Sequence, residues 1–343
     1  MEARRVDGEI VVGGDARQRF YDARGYGRPL TGNEIALAPI EAAHLLFRED
    51  IDAVEGRDFR DFFARHRGDG FAARFIVYKD LRDRGFYLSP DRERWVPDPD
   101  PRSDLVVYPR GKGPADGTVN YRMRVVGERE SIPAADLGDL VLAVVDEESE
   151  ITYFETDRPD LAGTSNFEPA GTIAGDLLAD RVVVWDPPTD LHRRGFFGQP
   201  LAGRDAGDDH RALQLSLVEA AHLAREGALS VEGGADAVVE RGRTVEGKRF
   251  DGRLATYGAL RERDVVPKTG FKFGADFRTY ADVDSVEDLG HSEFLVRVLP
   301  ADHVFDPRDL ALDVRLAHGV RKRMVFALVG EDIEWVSVGR LTP

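Results

Sequence analysis

Apolar residues fall into runs with different periods. Met324-Val325-Phe326-Ala327-Leu328-Val329 is apolar at every position, the pattern of a central strand covered on both faces. Phe294-Leu295-Val296-Arg297-Val298-Leu299 is a second β-like run, and Ile333-Glu334-Trp335-Val336-Ser337-Val338 alternates as a half-buried strand does. Between these runs the spacing predicts a helix over Asp309–Val320. Upstream, Ile40, Ala43, His44 and Phe47 recur at helical spacing, as do Leu217, Val218, Ala221 and His222. Further helices are expected over Phe75–Arg84 and Leu254–Arg263. Helix–strand alternation of this kind predicts mixed α/β domains.

The pattern occurs twice. Ile10-Val11-Val12, Gly25-Tyr26-Gly27-Arg28-Pro29-Leu30 and Ile40-Glu41-Ala42-Ala43-His44-Leu45 recur as Val182-Val183-Val184, Gly195-Phe196-Phe197-Gly198-Gln199-Pro200-Leu201 and Val218-Glu219-Ala220-Ala221-His222-Leu223. The stretch from Arg74 to Arg84 recurs from Arg253 to Arg263, and Asp104–Tyr108 recurs as Asp276–Tyr280. The reading is a tandem duplication in which each copy has a small N-terminal α/β domain and a C-terminal α/β domain. The expected domains are 1–70 and 71–160, then 175–248 and 249–343. The joint, near 157–178, is rich in Asp, Gly, Pro, Ser and Asn, as linkers often are.

Composition narrows the chemistry. The chain of 343 residues has no cysteine, which excludes disulfides, thiolate zinc sites and a cysteine nucleophile. No apolar run approaches the ~18 residues of a membrane span, so no membrane partner is expected. The N-terminus lacks an apolar leader core, which predicts a cytoplasmic protein. Net charge is −16, with 47 basic and 63 acidic residues. Taken alone this argues against a polyanionic partner. Only six of the basic residues are lysine, however, and an acidic, lysine-poor surface suits a high-salt cytoplasm. There the Debye length falls to about 3 Å at 1 M, and local charge matters more than bulk charge. Arg315, Arg321, Lys322 and Arg323 form a basic cluster in this acidic chain.

Tyr280, His291 and Lys322 could together run acid–base chemistry on an RNA phosphodiester. RNA brings its own nucleophile, the 2′-hydroxyl. The reaction needs a base for that hydroxyl, an acid for the departing 5′-oxygen and positive charge at the phosphorane. Histidine suits proton transfer near neutrality, and an ammonium suits the charge on the non-bridging oxygens. A tyrosine is a poor base unless nearby cations favour its ionised form, which the basic cluster could do. Each residue also has a plainer reading: Tyr280 as a core or rim tyrosine, His291 as a turn residue after Gly290, Lys322 as a helix-end cation. His44 and His222, in matching Ala-Ala-His-Leu helices, are expected to pack or hydrogen-bond rather than bind metal. The duplication sharpens the case. Tyr108 stands at the position of Tyr280, but Thr118 and Gly138 stand at those of His291 and Lys322. Only the second copy carries the full set.

Three blocks carry a resemblance. They are Phe271-Lys272-Phe273-Gly274-Ala275-Asp276-Phe277-Arg278-Thr279-Tyr280, His291-Ser292-Glu293-Phe294-Leu295-Val296-Arg297-Val298, and Arg315-Leu316-Ala317-His318-Gly319-Val320-Arg321-Lys322. Together they resemble the archaeal tRNA-splicing endonuclease family, and the duplicated length resembles its two-repeat, homodimeric branch. The resemblance implies a nuclease-like α/β fold in the C-terminal domain. It implies a cofactor-free, metal-independent endonuclease cutting precursor tRNA at a bulge–helix–bulge, with 2′,3′-cyclic phosphate and 5′-hydroxyl ends. Tyr280 would be the general base, His291 the general acid and Lys322 the transition-state stabiliser. Arg315 and Arg340 would hold a bulged base between them. The acidic loop Asp146-Glu147-Glu148-Ser149-Glu150 would dock in the partner chain of a homodimer; the alternative is a solvated hairpin tip. A non-catalytic RNA-binding or scaffold subunit is the competing reading, and the complete set in the second copy argues against it. A metal-dependent DNA nuclease is disfavoured, since no carboxylate pair with a nearby Glu-x-Lys is found.

Overall fold

The structure, a computed structural model, describes residues 1–6, 9–68, 70–202 and 211–343. Among these, ten strands form one mixed sheet: β1 (Leu88–Pro90), β2 (Leu105–Val107), β3 (Tyr121–Gly127), β4 (Leu140–Val145), β5 (Ile151–Asp157), β6 (Val266–Thr269), β7 (Phe277–Tyr280), β8 (Phe294–Pro300), β9 (Arg323–Val329) and β10 (Ile333–Leu341). The order is β6-β7-β8-β9-β10-β5-β4-β3-β2-β1. Each copy therefore contributes five strands in the same relative order. Their last strands, β5 and β10, pair antiparallel at the centre, from Tyr153 opposite Leu341 to Asp157 opposite Ser337. The outermost strands, β1 and β6, contain Pro90 and Pro267.

The registers of the two halves correspond. Leu105 pairs with Met123, and Met123 with Val141; Phe277 pairs with Val296, and Val296 with Val325. Val141 thus matches Val325, which puts Gly138 at the position of Lys322 and Thr118 at that of His291. The Asp104 carboxylate accepts from Val125 N at 2.8 Å and pairs with Arg74 at 3.1 Å. Asp276 accepts from Val298 N at 2.9 Å and pairs with Arg253 at 3.2 Å.

Helices cover the sheet as its apolar residues require. The principal ones are α1 (Pro39–Phe47), α2 (Phe71–Asp83), α3 (Leu217–Arg225), α4 (Arg249–Arg261) and α5 (Pro307–Gly319). α2 and α4 begin earlier than their apolar spacing suggested, because Phe71 and Phe250 are buried and give each first turn a core contact. In β9, Val325 and Ala327 face one core while Met324, Phe326 and Leu328 face another. This accounts for its unbroken apolar run. One apolar cluster runs through both parts of copy 1, and a second through both parts of copy 2. A third spans the two copies on the opposite face and includes Leu310, Val314 and Ala317 of α5. Between β3 and β4, copy 1 has a two-residue strand, Ile132–Pro133, and a short 3-10 turn, Ala134–Asp136, in place of a helix such as α5. β10, expected to be half-buried, is buried from Trp335 through Val338, because Trp335 packs into the copy 2 cluster on one face while Val336 and Val338 pack into the third cluster on the other. β5 of the other copy occupies its edge, so the C-terminal strand offers no open edge for a partner.

The N-terminal parts have small antiparallel-rich sheets, five-stranded in copy 1 and four-stranded in copy 2. In both, a glutamate at the first turn of the helix holds the preceding loop. Glu41 accepts from Gly27 N and Ala38 N at 2.6 and 2.8 Å; Glu219 accepts from Gly198 N and Ser216 N at 3.0 and 2.9 Å. Three residues later, His44 and His222 lie edge-on to Tyr78 and Tyr257, with ring centroids 5.4 and 5.3 Å apart. Both are packing residues. Among the described residues no group of three or more His, Cys, Asp or Glu could hold a metal ion. No helix among them is long and apolar enough to cross a membrane.

Burial, reinforced by Arg82 beside His44 and by Arg261 beside His222, lowers both imidazoles to about 4. A depressed histidine binds a proton in the unfolded chain before it does in the folded one. Its contribution is therefore present above the ordinary value of 6.5 and is lost as pH falls towards 4. Each histidine should contribute a slope of up to about 1.4 kcal/mol per pH unit in that window. Unfolding free energies measured at fixed salt from pH 7 to 4 should show it, and His44→Gln with His222→Gln should flatten it. An unchanged slope in the double variant would contradict this account.

Candidate active site

β7 is antiparallel to β8, β8 is parallel to β9, and β9 is antiparallel to β10. The end of β7, the starts of β8 and β9 and the end of β10 consequently lie along one rim. Tyr280 closes β7, His291 stands just before β8, and Lys322 immediately precedes β9. Met324 pairs with Val338, and two further steps along that ladder bring Arg340 opposite Lys322. The topology thus collects Tyr280, His291, Lys322 and Arg340 on four neighbouring strands. Arg315 is exposed on α5, whose end leads straight into Lys322.

The turn between α5 and β9 fixes the lysine. Val320 N and Lys322 N both donate to Ala317 O, at 3.1 and 2.9 Å, while Arg321 takes a left-handed conformation with φ of 58°. Lys322 Nζ donates to Ser292 O at 2.6 Å, which ties it to the segment carrying His291. It also lies 5.8 Å from the centroid of the Phe273 ring. Partial burial, then the charge of Arg278, lowers its pKa. His291 itself is exposed. The ring of Tyr280 is buried among Phe196, Val266 and Val283.

The basic cluster divides. Arg323 turns to Asp157 and Glu155 of copy 1 and serves the seam. The cation beside Tyr280 is instead Arg278, whose guanidinium carbon is 5.6 Å from the ring centroid. Its Nε is buried without a hydrogen-bond partner. Sequence reasoning passed over Arg278, although residues two apart on a strand share a face.

The joint between the copies is also part of the site. Thr164 N donates to Ala281 O at 2.8 Å, directly after Tyr280, and Gly163 N donates to Arg263 O at 2.8 Å. Gly163 passes so close to the backbone that a Cβ there would lie 2.2 Å from Asp264 O. The stretch that composition marks as a linker is a brace on the end of β7.

In copy 1 the same rim is differently filled. Tyr108 is buried, and its hydroxyl donates to Ser89 Oγ at 3.0 Å. A Cβ on Gly138 would lie 3.0 Å from Arg158 Nε, and Arg158 pairs with Glu334 of copy 2 at 2.8 Å. The acidic loop is a tight, exposed hairpin. Asp146 Oδ1 accepts from Glu148 N and Glu150 N at 2.9 and 2.8 Å, so Asp146 shapes the turn. The loop meets a basic residue of its own copy, since Glu147 pairs with Arg129 at 2.7 Å. Both partners are well exposed, which makes the pair weak.

Comparison with known proteins identifies the family. The catalytic C-terminal domain of the tRNA intron endonuclease family matches residues 250–335, and its N-terminal domain matches residues 1–63 and 173–241. A tRNA-splicing endonuclease of Haloarcula marismortui is 63% identical over 98% of this chain and 99% of its own length. The chain belongs to the tRNA intron endonuclease family. Tandem matches to the N-terminal domain accord with the duplicated arrangement. Two further members of the family, the tRNA-splicing endonucleases of Haloferax volcanii and Methanococcoides burtonii, are 58% and 37% identical. They match 100% and 99% of this chain, and 100% and 99% of their own lengths.

The brace yields a test. Gly163→Ala has no room without moving the joint or the Asp264 backbone, and overpacking of this kind costs about 1–3 kcal/mol. Thermal unfolding should register that loss, and amide hydrogens around Tyr280 and Ala281 should exchange faster than in the parent chain. Unchanged stability together with unchanged exchange would show that the joint does not hold the strand end.

Proposed function

We propose that this protein cuts precursor tRNA at the two boundaries of a bulge–helix–bulge intron. The observation that carries the reading is the convergence of Tyr280, His291 and Lys322 on one rim in copy 2, while their counterparts are Tyr108, Thr118 and Gly138. Tyr280 takes the proton from the 2′-hydroxyl, with the Arg278 guanidinium placing a cation at its ring. The 2′-oxygen attacks the adjacent phosphorus, and Lys322 faces the negative charge that develops on the non-bridging oxygens. His291 gives a proton to the departing 5′-oxygen. The products are a 2′,3′-cyclic phosphate and a 5′-hydroxyl. The nucleophile belongs to the RNA, so no metal-bound water is needed. Arg315 and Arg340 hold a bulged base through planar guanidinium stacking, which lysine does not reproduce. The four expected domains are the units of this arrangement, copy 1 serving as the non-catalytic half, and the enzyme works in the cytoplasm.

The reaction is tested by incubating bulge–helix–bulge RNA with the protein in excess EDTA and analysing the ends. Cleavage with cyclic phosphate ends is expected. His291→Ala should lose roughly 10²–10⁴-fold in rate, and Thr118→Ala should change little. Activity that vanishes in EDTA and returns with Mg²⁺ would sink the mechanism; equal losses from both substitutions would sink the assignment to copy 2.

The reading extends to a homodimer in which Glu147, Glu148 and Glu150 reach a partner chain while Asp146 holds the turn. A cleft of about 450 Å³ in copy 2 is a candidate receptor, with Arg181, Arg253, Lys268 and Arg278 along its wall beside Asp180 and Glu219. Such charged contacts select partner and register more than they add affinity. Replacing Glu147, Glu148 and Glu150 with Gln while keeping Asp146 should shift the mass seen by light scattering towards the monomer, with parallel loss of cleavage. A fully active dimer in this variant would leave the loop a solvated hairpin.

A further inference from the structure

Phe271 is 86% exposed, the most exposed large apolar side chain among the described residues. Exposure on this scale is unusual for phenylalanine. Its backbone is held firmly. Phe271 opens a 3-10 turn, Phe271–Phe273, in which Phe273 N donates to Gly270 O at 2.8 Å and Gly274 N to Phe271 O at 3.2 Å. Gly270 N donates to Asp276 O at 3.1 Å, locking the turn to the entry of β7. Gly274 has φ of +69°, and a Cβ there would lie 3.9 Å from Leu316 Cδ1, so the turn leans on α5 beside Arg315. Its other aromatic residue, Phe273, is the one facing Lys322 Nζ. The turn therefore lies against α5 at Leu316, approaches Lys322 through Phe273, and presents the Phe271 ring to solvent with the exposed Lys272 next to it.

Copy 1 provides an internal control. Asp104 and Asp276 are equivalent by their matching bonds to Val125 N and Val298 N. Counting back from them puts Pro99, Asp100 and Pro101 at the positions of Phe271, Lys272 and Phe273. Asp100 pairs there with Arg102 at 2.7 Å. The copy that lacks the acid–base set also lacks the aromatic ring and the cation of this turn.

We propose that Phe271 stacks against an unpaired nucleobase of the RNA substrate next to the cleaved phosphate, with Lys272 facing its backbone. This rests on the RNA-cleaving function proposed above and adds a base-binding position outside the Arg315–Arg340 pair. Every base has a π-face, so the contact tolerates sequence. A rigid exposed ring with a cation beside it fits an anionic strand that also carries flat bases.

The test uses the full chain and bulge–helix–bulge RNAs with 2-aminopurine at successive unpaired positions. Binding of the parent protein should quench one of these positions by stacking. Phe271→Ala should abolish that quench and weaken binding about 10- to 100-fold. Phe271→Trp should restore both, and Phe271→Leu, apolar but without a π-face, should not. Cleavage at saturating protein should change far less than affinity. If the parent cuts the RNA and Phe271→Ala binds as tightly with the same quench, the stacking proposal fails while the proposed function stands. If the parent neither binds nor cuts, both fail. If Phe271→Ala becomes monomeric while the parent is dimeric, the ring is a chain–chain contact and the proposal is overturned.

Discussion

The antiparallel pairing of β5 with β10 is the interaction on which the rest of the molecule depends. It turns two five-stranded halves into one sheet, and side chains reinforce it through Arg323 with Glu155 and Asp157 and through Arg158 with Glu334. Without β5, the nine-residue strand β10 would be an open edge, a liability that folded proteins avoid. The apolar cluster beneath α5 would also lose Leu140, Leu142, Val144 and Phe154. Copy 1 is therefore structural material for the rim of copy 2. Its own rim has been converted accordingly, with Arg158 lying over Gly138 and pointing its charge across the seam.

Much of this was legible in the sequence. The unbroken apolar run of β9 announced a central strand, and the duplication set Gly138 at the position of Lys322, which is the register the strands adopt. Local pattern could not reveal what the copies do to each other. Alternation in β10 reads as half-buried because sequence does not name the apolar cluster, drawn from both copies, that covers its second face. The joint reads as a linker because its hold on Arg263 and Ala281 is made by backbone atoms, which leave almost no trace in composition. Gly163 is the one trace: a residue without a side chain where the chain passes within contact of Asp264. The basic cluster near residue 320 read as one feature, but Arg323 and Lys322 point to different neighbours.

Electrostatics follow the same division. Most arginines in this acidic chain meet carboxylates, as Arg122 meets Asp91 and Arg297 meets Asp313. Arg278 instead lies beside Tyr280, and the same charge bears on both Lys268 and Lys322. A guanidinium stays charged under these conditions, whereas an ammonium can give up its proton when crowded. The rim therefore combines a guanidinium with an ammonium whose pKa is lowered by partial burial and by that guanidinium.

The prolines at the two ends of the sheet have a consequence for colloidal behaviour. A sheet of ten strands ends in two rows of backbone groups that invite another chain, and proteins commonly guard such rows with charge. At molar salt that guard is screened within about 3 Å. Pro90 in β1 and Pro267 in β6 each remove a backbone donor from an outermost strand. This guard is covalent and independent of ionic strength. Strand addition at these two positions is thus opposed at any ionic strength.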